Sequence, residues 1–282
     1  MSGQLELSMN IFDEVLHRID GLEPFPKVAV RILELTQGDA NQEELVSVLE
    51  TDPGLTGKVL GLANSAMVGA QVEIESLQQA TLRLGFKAVA NLALTSGSAG
   101  FFKGYGRSTA RSNESLWTES MHTALNARRI AARDGRVDSE LAYTVGLLQN
   151  IGHIVIDRFQ KEQKEAITAE LEKGTDLLTA ERAVLGIDHA QAGALMIRRW
   201  GLPRKLIRGI QFHHAPARAA AESVLWAICA QAEELTGLSL GTQGSAMVYK
   251  TDGSKWDLTL PDAEERDVWL DRNREEIAAA AG

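Results

Sequence analysis

Apolar side chains at helical spacing run through most of the sequence, and this feature most limits how the chain can fold. After Pro24 and Pro26 they recur from Val28 through Ile32 to Leu35, which places them on one face of a helix. Further apolar and amphipathic segments of helical length follow as far as residue 236. The pattern therefore predicts an all-α fold.

Helix-start signals stand where this periodicity begins again. Asn41 with Glu44, and Ser76 with Gln79, have the spacing of capping boxes, in which one side chain accepts a backbone N–H of the first turn. Asp52–Pro53 is an N-cap followed by proline at the first helical position. These signals predict three helix starts in the first third of the chain.

Two segments interrupt the helical pattern. Residues 97–112 are rich in Gly, Ser and Arg and predict a loop or linker, where we place a subdomain boundary; a long surface loop within one domain is the alternative. From residue 237 onwards, turn residues and alternating apolar positions predict a short β-hairpin around Asp252–Gly253. A last helix is expected near 262–279.

Composition limits the expected partners and compartment. The formal net charge is −9 and Lys and Arg are scattered, so there is no basic face to bind nucleic acid. Cys229 is the single cysteine, which excludes an intrachain disulfide and fits a reducing cytoplasm. The sequence shows neither a membrane-spanning apolar run nor a signal peptide. We therefore expect a cytoplasmic protein without nucleic-acid or membrane partners.

Several blocks of sequence, in order along the chain, resemble the HDOD family, a degenerate branch of the HD-domain metallophosphohydrolases. A proline-containing opening lies at 22–37, and the most recognisable block is LETDPGLTGKVLGLANSA at 49–66. Further blocks lie at 77–94, 142–157 and 188–216. This ordered set is much more specific than a single short motif.

The resemblance implies an all-helical, two-lobed architecture in which an N-terminal helical lobe packs on an HD-like lobe. On this basis we assign an N-terminal helix to 1–21 and the HDOD domain to 22–216. The first lobe is placed at 22–100, and the HD-like lobe at 113–236, past the end of the match. Residues 237–282 are assigned to a C-terminal extension.

The residue pair that defines catalytic HD domains is replaced in this chain. HD hydrolases hold a divalent metal with histidines and at least one aspartate, and the metal activates a bound water. In AYTVGLLQNIGHIVID the expected His-Asp pair is Gln149–Asn150. The two amides offer neither an imidazole nitrogen nor a negative charge. We therefore expect a degenerate site with no catalytic residue and no metal cofactor.

The resemblance places five histidines at the same degenerate site. His122 corresponds to the upstream histidine of HD domains, and His153 stands where catalytic relatives have lysine. His189 is expected to open a helix. His213 and His214 are expected near a helix C-terminus, where they suit the dipole. Consecutive helical side chains point about 100° apart, so this pair is not expected to share a metal. Adventitious binding of a divalent metal such as zinc or nickel stays open.

The segment 230–236 provides no aspartate for the distal metal ligand of an HD site. It contains Glu233 and Glu234, which we interpret as part of a solvated helix face. The sequence therefore lacks both the charged pair and a matching distal carboxylate.

These observations favour a non-catalytic regulatory module of bacterial signal transduction, which acts through protein–protein or ligand binding. Asp52, Asn64 and Ser65 are candidate partner-binding residues, although helix termination is the favoured role for Asn64 and Ser65. The expected partners are signalling proteins supplied in trans, with a nucleotide second messenger as a further candidate. The alternatives are a weak metal-dependent phosphohydrolase acting on a nucleotide or phosphodiester, and a nucleotide sensor that binds without cleavage.

Overall fold

A computed structural model describes residues 2–38, 40–64, 72–103, 116–215, 223–240 and 258–281 of the chain. These residues form helices and no strand, which confirms the predicted all-α fold. In chain order the helices are α1 (Ser2–Asp20), α2 (Lys27–Gln37), α3 (Gln42–Glu50), α4 (Pro53–Ala63), α5 (Leu77–Leu84), α6 (Phe86–Lys103), α7 (Leu116–Asp134), α8 (Ser139–Leu148), α9 (His153–Ile156), α10 (Lys161–Glu172), α11 (Leu177–Leu185), α12 (His189–Arg199), α13 (Arg204–Phe212), α14 (Ser223–Leu240) and α15 (Ala263–Ala281). The predicted hairpin around Asp252–Gly253 lies outside the described residues.

The chain folds into two compact units that do not follow chain order. One unit comprises residues 1–23 and 105–260, and the other comprises 24–104 and 261–282. Each therefore combines a terminal helix with a central stretch of sequence. None of the described helices has both the length and the apolar character needed to cross a lipid bilayer.

The unit of residues 24–104 and 261–282 is organised around α6, against which α2, α4 and α5 pack. The predicted helix starts are present: the side chains of Asn41, Asp52 and Ser76 each accept a backbone N–H from the residue three positions later. At the end of α5, Gly85 has a positive φ of 86°, which glycine adopts without strain, and α6 begins at the next residue. The terminal helix α15 contacts α6 and α4.

The helix α6 continues through the beginning of the segment that we predicted to be a loop. It ends at Lys103, so the prediction was wrong for residues 97–103. Phe102 is fully buried, and the ring of Phe101 meets that of Phe25 edge-on at 5.3 Å. Gly97 faces α2, and a Cβ there would lie 3.7 Å from Val28, at ordinary van der Waals distance. Tertiary packing therefore stabilises a helix that the Gly-rich composition disfavours.

The unit of residues 1–23 and 105–260 has α7, α8 and α14 at its centre, with α12 and α13 forming a second closely packed pair. Its largest fully buried side chains include those of Trp117 and Trp226. Gly146 lets α8 approach α7, since a Cβ there would lie 3.0 Å from the backbone of Ala124. All residues of the candidate site described below belong to this unit.

The start of α9 packs closely against the backbone of α12 in this unit. A Cβ on Gly152 would overlap the carbonyl oxygen of His189 and lie 2.6 Å from the amide nitrogen of Gly193. Only glycine fits this position, because the obstructing atoms are backbone and cannot rotate away. The contact brings His153, the first residue of α9, against His189, the first residue of α12.

Candidate functional site

The Gln149–Asn150 pair lies at the end of α8, in the interior of its unit. Asp138 caps the start of this helix, and Gln149 is the residue at its C-cap. Gln149 is fully buried and Asn150 and His153 nearly so. The turn between α8 and α9 thus directs these three side chains inwards.

Both amides donate hydrogen bonds to one carboxylate on α14. Gln149 Nε2 donates to Glu233 Oε2 at 3.1 Å, and Asn150 Nδ2 donates to Glu233 Oε1 at 3.0 Å. Glu233 is only 6% exposed, so our interpretation of this residue as part of a solvated helix face was wrong. The helix α14 is apolar and buried along most of its length, and Glu233 lies on it facing inwards.

The amide orientation follows from the charge of Glu233. A carboxylate accepts but does not donate, so each amide must turn its NH₂ group towards it. The carbonyl oxygens Gln149 Oε1 and Asn150 Oδ1 accept no hydrogen bond among the described residues. These two oxygens are neutral and weak metal ligands, while the NH₂ groups carry positive hydrogen atoms that repel a cation. The three side chains therefore do not fit an HD-type metal centre.

A second buried carboxylate fixes the ring of His189. Glu181 Oε2 accepts the backbone N–H of His189 at 2.8 Å and also lies 2.7 Å from its Nδ1. Glu181 is 1% exposed. Since the carboxylate can only accept, Nδ1 of His189 carries a proton. The ring of His153 stacks on that of His189, with 4.0 Å between their centroids.

His213 and His214 lie together at the end of α13. The helix ends at Phe212, with His213 at the C-cap and His214 beyond it. Their ring centroids are 3.9 Å apart, and His214 Nε2 lies 2.9 Å from His189 Nε2. The two rings therefore converge on the same region, and the expectation that they point in different directions was wrong.

His213 is a neutral base in this site. Its Nδ1 donates to the carbonyl of Ile210 at 2.6 Å, and its buried Nε2 has no hydrogen-bond partner among the described residues. Complete burial lowers the pKa of His213 to about 4, because the protonated ring would lose its hydration. A neutral ring does not stabilise the helix dipole, so the electrostatic role that we expected for it is absent at neutral pH.

The other predicted site residues do not belong to the two groups of candidate ligand atoms. His122 is buried on α7 and belongs to neither of the two groups of His and Glu ligand atoms that lie within 4.8 Å of one another in the described part of the chain. Asp52 caps α4 in the other unit. Asn64, at the C-cap of α4, bonds both the backbone N–H and the carbonyl of Ile74. Ser65 lies outside the described residues, and partner binding by these three stays a prediction.

Sequence reasoning missed the two carboxylates that organise the site. Glu181 and Glu233 lie on α11 and α14, in helical segments whose charge looks like that of any solvated face. Their roles depend on what each faces across the core, and a single sequence contains no signal for that. The histidines and amides were found because the family resemblance placed them.

A cavity of about 370 Å³ adjoins the histidines. Its lining includes Arg182, Gln191, Gln211, Phe212 and His214. The guanidinium of Arg182 is held by the buried carboxylate of Asp188, with Nε donating to Oδ2 at 2.6 Å. Asp188 also lines the cavity, so His214 on one side faces a polar wall that contains the Arg182–Asp188 ion pair.

Two solved structures are similar to this chain along most of its length. The "Putative signal transduction protein" from Marinobacter aquaeolei VT8 is 27% identical, with a TM-score of 0.71, and the match covers 93% of this chain and 59% of that one. The "Putative phosphohydrolase" from Shewanella amazonensis SB2B is 24% identical, with a TM-score of 0.69, covering 94% and 97%. The latter likeness shows the fold alone.

The sequence comparisons agree with the fold. An "Uncharacterized protein" from Treponema pallidum (strain Nichols) is 26% identical over 203 residues, which are 69% of this chain and 38% of that protein. The chain thus spans less than two fifths of the length of this curated relative. A family model for the HDOD domain matches residues 22–216. Since this match covers more than half of the sequence, the chain belongs to the HDOD family.

Proposed function

We propose that this protein is a non-catalytic regulatory module of signal transduction, which acts by binding signalling proteins in trans. The observation that carries the proposal is the hydrogen bonding of both Glu233 oxygens by the amides of Gln149 and Asn150. Protein donors occupy both carboxylate oxygens of Glu233, and two amides stand in place of the histidine and aspartate that would hold an activating metal. In this proposal the chain keeps the fold of the family, and the hydrogen-bonded group of Gln149, Asn150 and Glu233 takes the place of a hydrolytic metal centre.

The name of the Marinobacter aquaeolei relative supports a signalling role. A nucleotide second messenger is a further candidate ligand, with the cavity beside His214 as its place of binding. Calorimetric titration with cyclic dinucleotides and guanosine tetraphosphate tests this addition. Absence of heat at high micromolar ligand would exclude a nucleotide second messenger as the ligand and leave protein binding as the proposed activity.

The alternative function is a weak metal-dependent phosphohydrolase. The observation that favours it is the histidine cluster of His189, His213 and His214, whose ligand atoms lie within 4.8 Å of one another. A metal held by neutral histidines alone would still lack a bridging carboxylate, because Glu233 is occupied by the two amides. This arrangement is poor for phosphate hydrolysis.

An assay of hydrolysis distinguishes the two functions. Tag-free protein is stripped of metal, supplied in turn with Mn²⁺, Fe²⁺, Ni²⁺ and Zn²⁺, and assayed with bis(4-nitrophenyl) phosphate and with cyclic dinucleotides. We expect the rate to equal that of the metal alone, and to be unchanged in His214→Gln. An active HD phosphohydrolase is the positive control. Metal-dependent turnover that His214→Gln abolishes would refute the non-catalytic account.

A further inference from the structure

We infer that the outer surface of the α12–α13 pair binds an acidic segment of a partner protein, with Arg198, Arg204 and Arg208 as its main contacts. The inference rests on the proposed function, because it assigns a surface and a class of partner to the binding module. The segment that it would recognise is rich in Asp and Glu and carries a bulky apolar side chain. The three arginines are exposed or partly exposed, so this surface is distinct from the buried site described above.

The segment 189–215 contains basic side chains and no acidic one. It has five Lys and Arg residues and neither Asp nor Glu, although the whole chain has a formal net charge of −9. In the sequence these cations look scattered, because they occur in short groups on two helices. The fold brings them together, since α12 and α13 pack closely and are joined by only four residues, 200–203. A positive surface on an acidic protein steers an acidic partner towards it.

The three arginines lie at the end of the pair where α12 passes into α13. Arg198 is in the last turn of α12 and Arg204 is the first residue of α13, so the two flank the connecting turn. Arg208 lies one helical turn beyond Arg204 and therefore on the same face of α13. A segment that crosses this turn can contact all three guanidinium groups.

The fold leaves these guanidinium groups without acidic partners. In the described part of the chain, the side chains of Arg198, Arg204 and Arg208 form no ion pair and no hydrogen bond. Their neighbour Arg199 differs, because its Nε donates to Asp20 Oδ1 on α1 at 2.8 Å. The arginine that faces α1 is thus paired within the protein, while the three on the outer surface are available to an external carboxylate.

The stability of α13 does not explain the cations at its start. Arg204 and Lys205 occupy the first turn, where the helix dipole favours acidic side chains, and this turn contains none. Basic residues at this end weaken the helix slightly, because they lie beside its positive pole. Their position is better explained by an anionic partner, whose charge offsets both the side chains and the dipole.

A partly exposed tryptophan adds an apolar contact to this surface. Trp200 is the C-cap residue of α12 and lies in sequence between Arg198 and Arg204. Tryptophan and arginine are enriched among the residues that contribute most to binding between proteins. Three unpaired cations on a chain of net charge −9 would release few counterions from a nucleic acid, so a protein segment is the favoured partner.

The test measures binding of a fluorescein-labelled acidic amphipathic peptide of Asp, Glu and Leu by fluorescence anisotropy. We expect the wild type to bind it, and added salt to weaken binding because exposed charge pairs are screened. The same peptide with Asn and Gln in place of Asp and Glu is expected not to bind. Combined Arg198→Glu, Arg204→Glu and Arg208→Glu are expected to weaken binding by more than about 100-fold, because attraction is replaced by repulsion at three positions.

The matched control reverses three exposed cations elsewhere and so has the same net charge as the test variant. It combines Arg31→Glu, Lys161→Glu and Arg272→Glu. We expect it to bind the acidic peptide nearly as well as the wild type does, because these positions lie outside the α12–α13 surface. Circular dichroism checks that both variants are folded.

A milder variant keeps the test decisive if charge reversal prevents folding. Combined Arg198→Gln, Arg204→Gln and Arg208→Gln remove the charges without repulsion and are expected to weaken binding by about 10-fold. No binding by the wild type, wild-type affinity in a folded variant of these arginines, or an equal loss in the control would each overturn the inference. Tighter binding of single-stranded DNA than of the peptide would also overturn it, in favour of a nucleic-acid partner.

The two proposals fail in different measurements. Absence of peptide binding refutes this surface and leaves the non-catalytic function untouched. Metal-dependent turnover in the hydrolysis assay refutes the non-catalytic function, whatever the peptide does.

Discussion

Gly152→Ala is expected to reduce the free energy of unfolding of its unit by about 4 kcal/mol or more. Since small domains are stable by only about 5–15 kcal/mol, this loss can be large enough to prevent soluble expression. The added Cβ would overlap the carbonyl oxygen of His189 and crowd the amide nitrogen of Gly193. Both are backbone atoms, so relief requires α9 and α12 to separate. Such a shift would also move His153 and His189.

Urea denaturation followed by circular dichroism measures this effect. The matched control is Gly57→Ala in α4, an exposed helical glycine at which an added Cβ would meet no heavy atom within 4 Å. We expect this control to gain about 0.5–1 kcal/mol, because alanine favours the helix. A Gly152→Ala protein with the wild-type midpoint would show that α9 and α12 do not approach as closely as described.

Glu233→Ala is expected to cost about 3 kcal/mol of unfolding free energy at neutral pH. It removes the acceptor of two buried amide donors, Gln149 Nε2 and Asn150 Nδ2, and each donor left unpaired costs about 1–3 kcal/mol. Removal of a buried charge offsets part of this cost. The net effect is destabilising because nothing replaces the lost hydrogen bonds.

The neighbouring glutamate provides the control for this substitution. Glu234 is partly exposed and accepts a hydrogen bond from Gln231, so Glu234→Ala is expected to change stability by about 0.5 kcal/mol or less. Both variants are measured by chemical denaturation under the same conditions. Equal stability of the two variants would contradict the central position that we give to Glu233.

Local signals in the sequence predicted much of the fold. The starts of α3, α4 and α5 followed from side-chain caps, whose hydrogen bonds involve residues only three positions apart. The end of α6 could not be predicted in this way. Phe101 and Phe102 stabilise its last turns through core contacts, and local composition does not show these contacts.

The site was predictable in its residue types and not in its arrangement. The family resemblance located Gln149, Asn150 and four of the clustered histidines. It gave no indication that Glu181 and Glu233 are buried, because each acquires its role from partners on other helices. His214 lies beyond the end of α13, and helix ends are the least certain part of a sequence-based prediction.

The central claim is that Gln149, Asn150 and Glu233 form a hydrogen-bonded group that does not hold the paired cations of an HD hydrolase. Anomalous diffraction from crystals grown with excess Mn²⁺, an ion that prefers oxygen ligands, tests this most directly. The account predicts no anomalous peak within coordination distance of these three side chains. Two Mn²⁺ ions bound against Gln149 and Asn150, with Glu233 turned away from both amides, would contradict it.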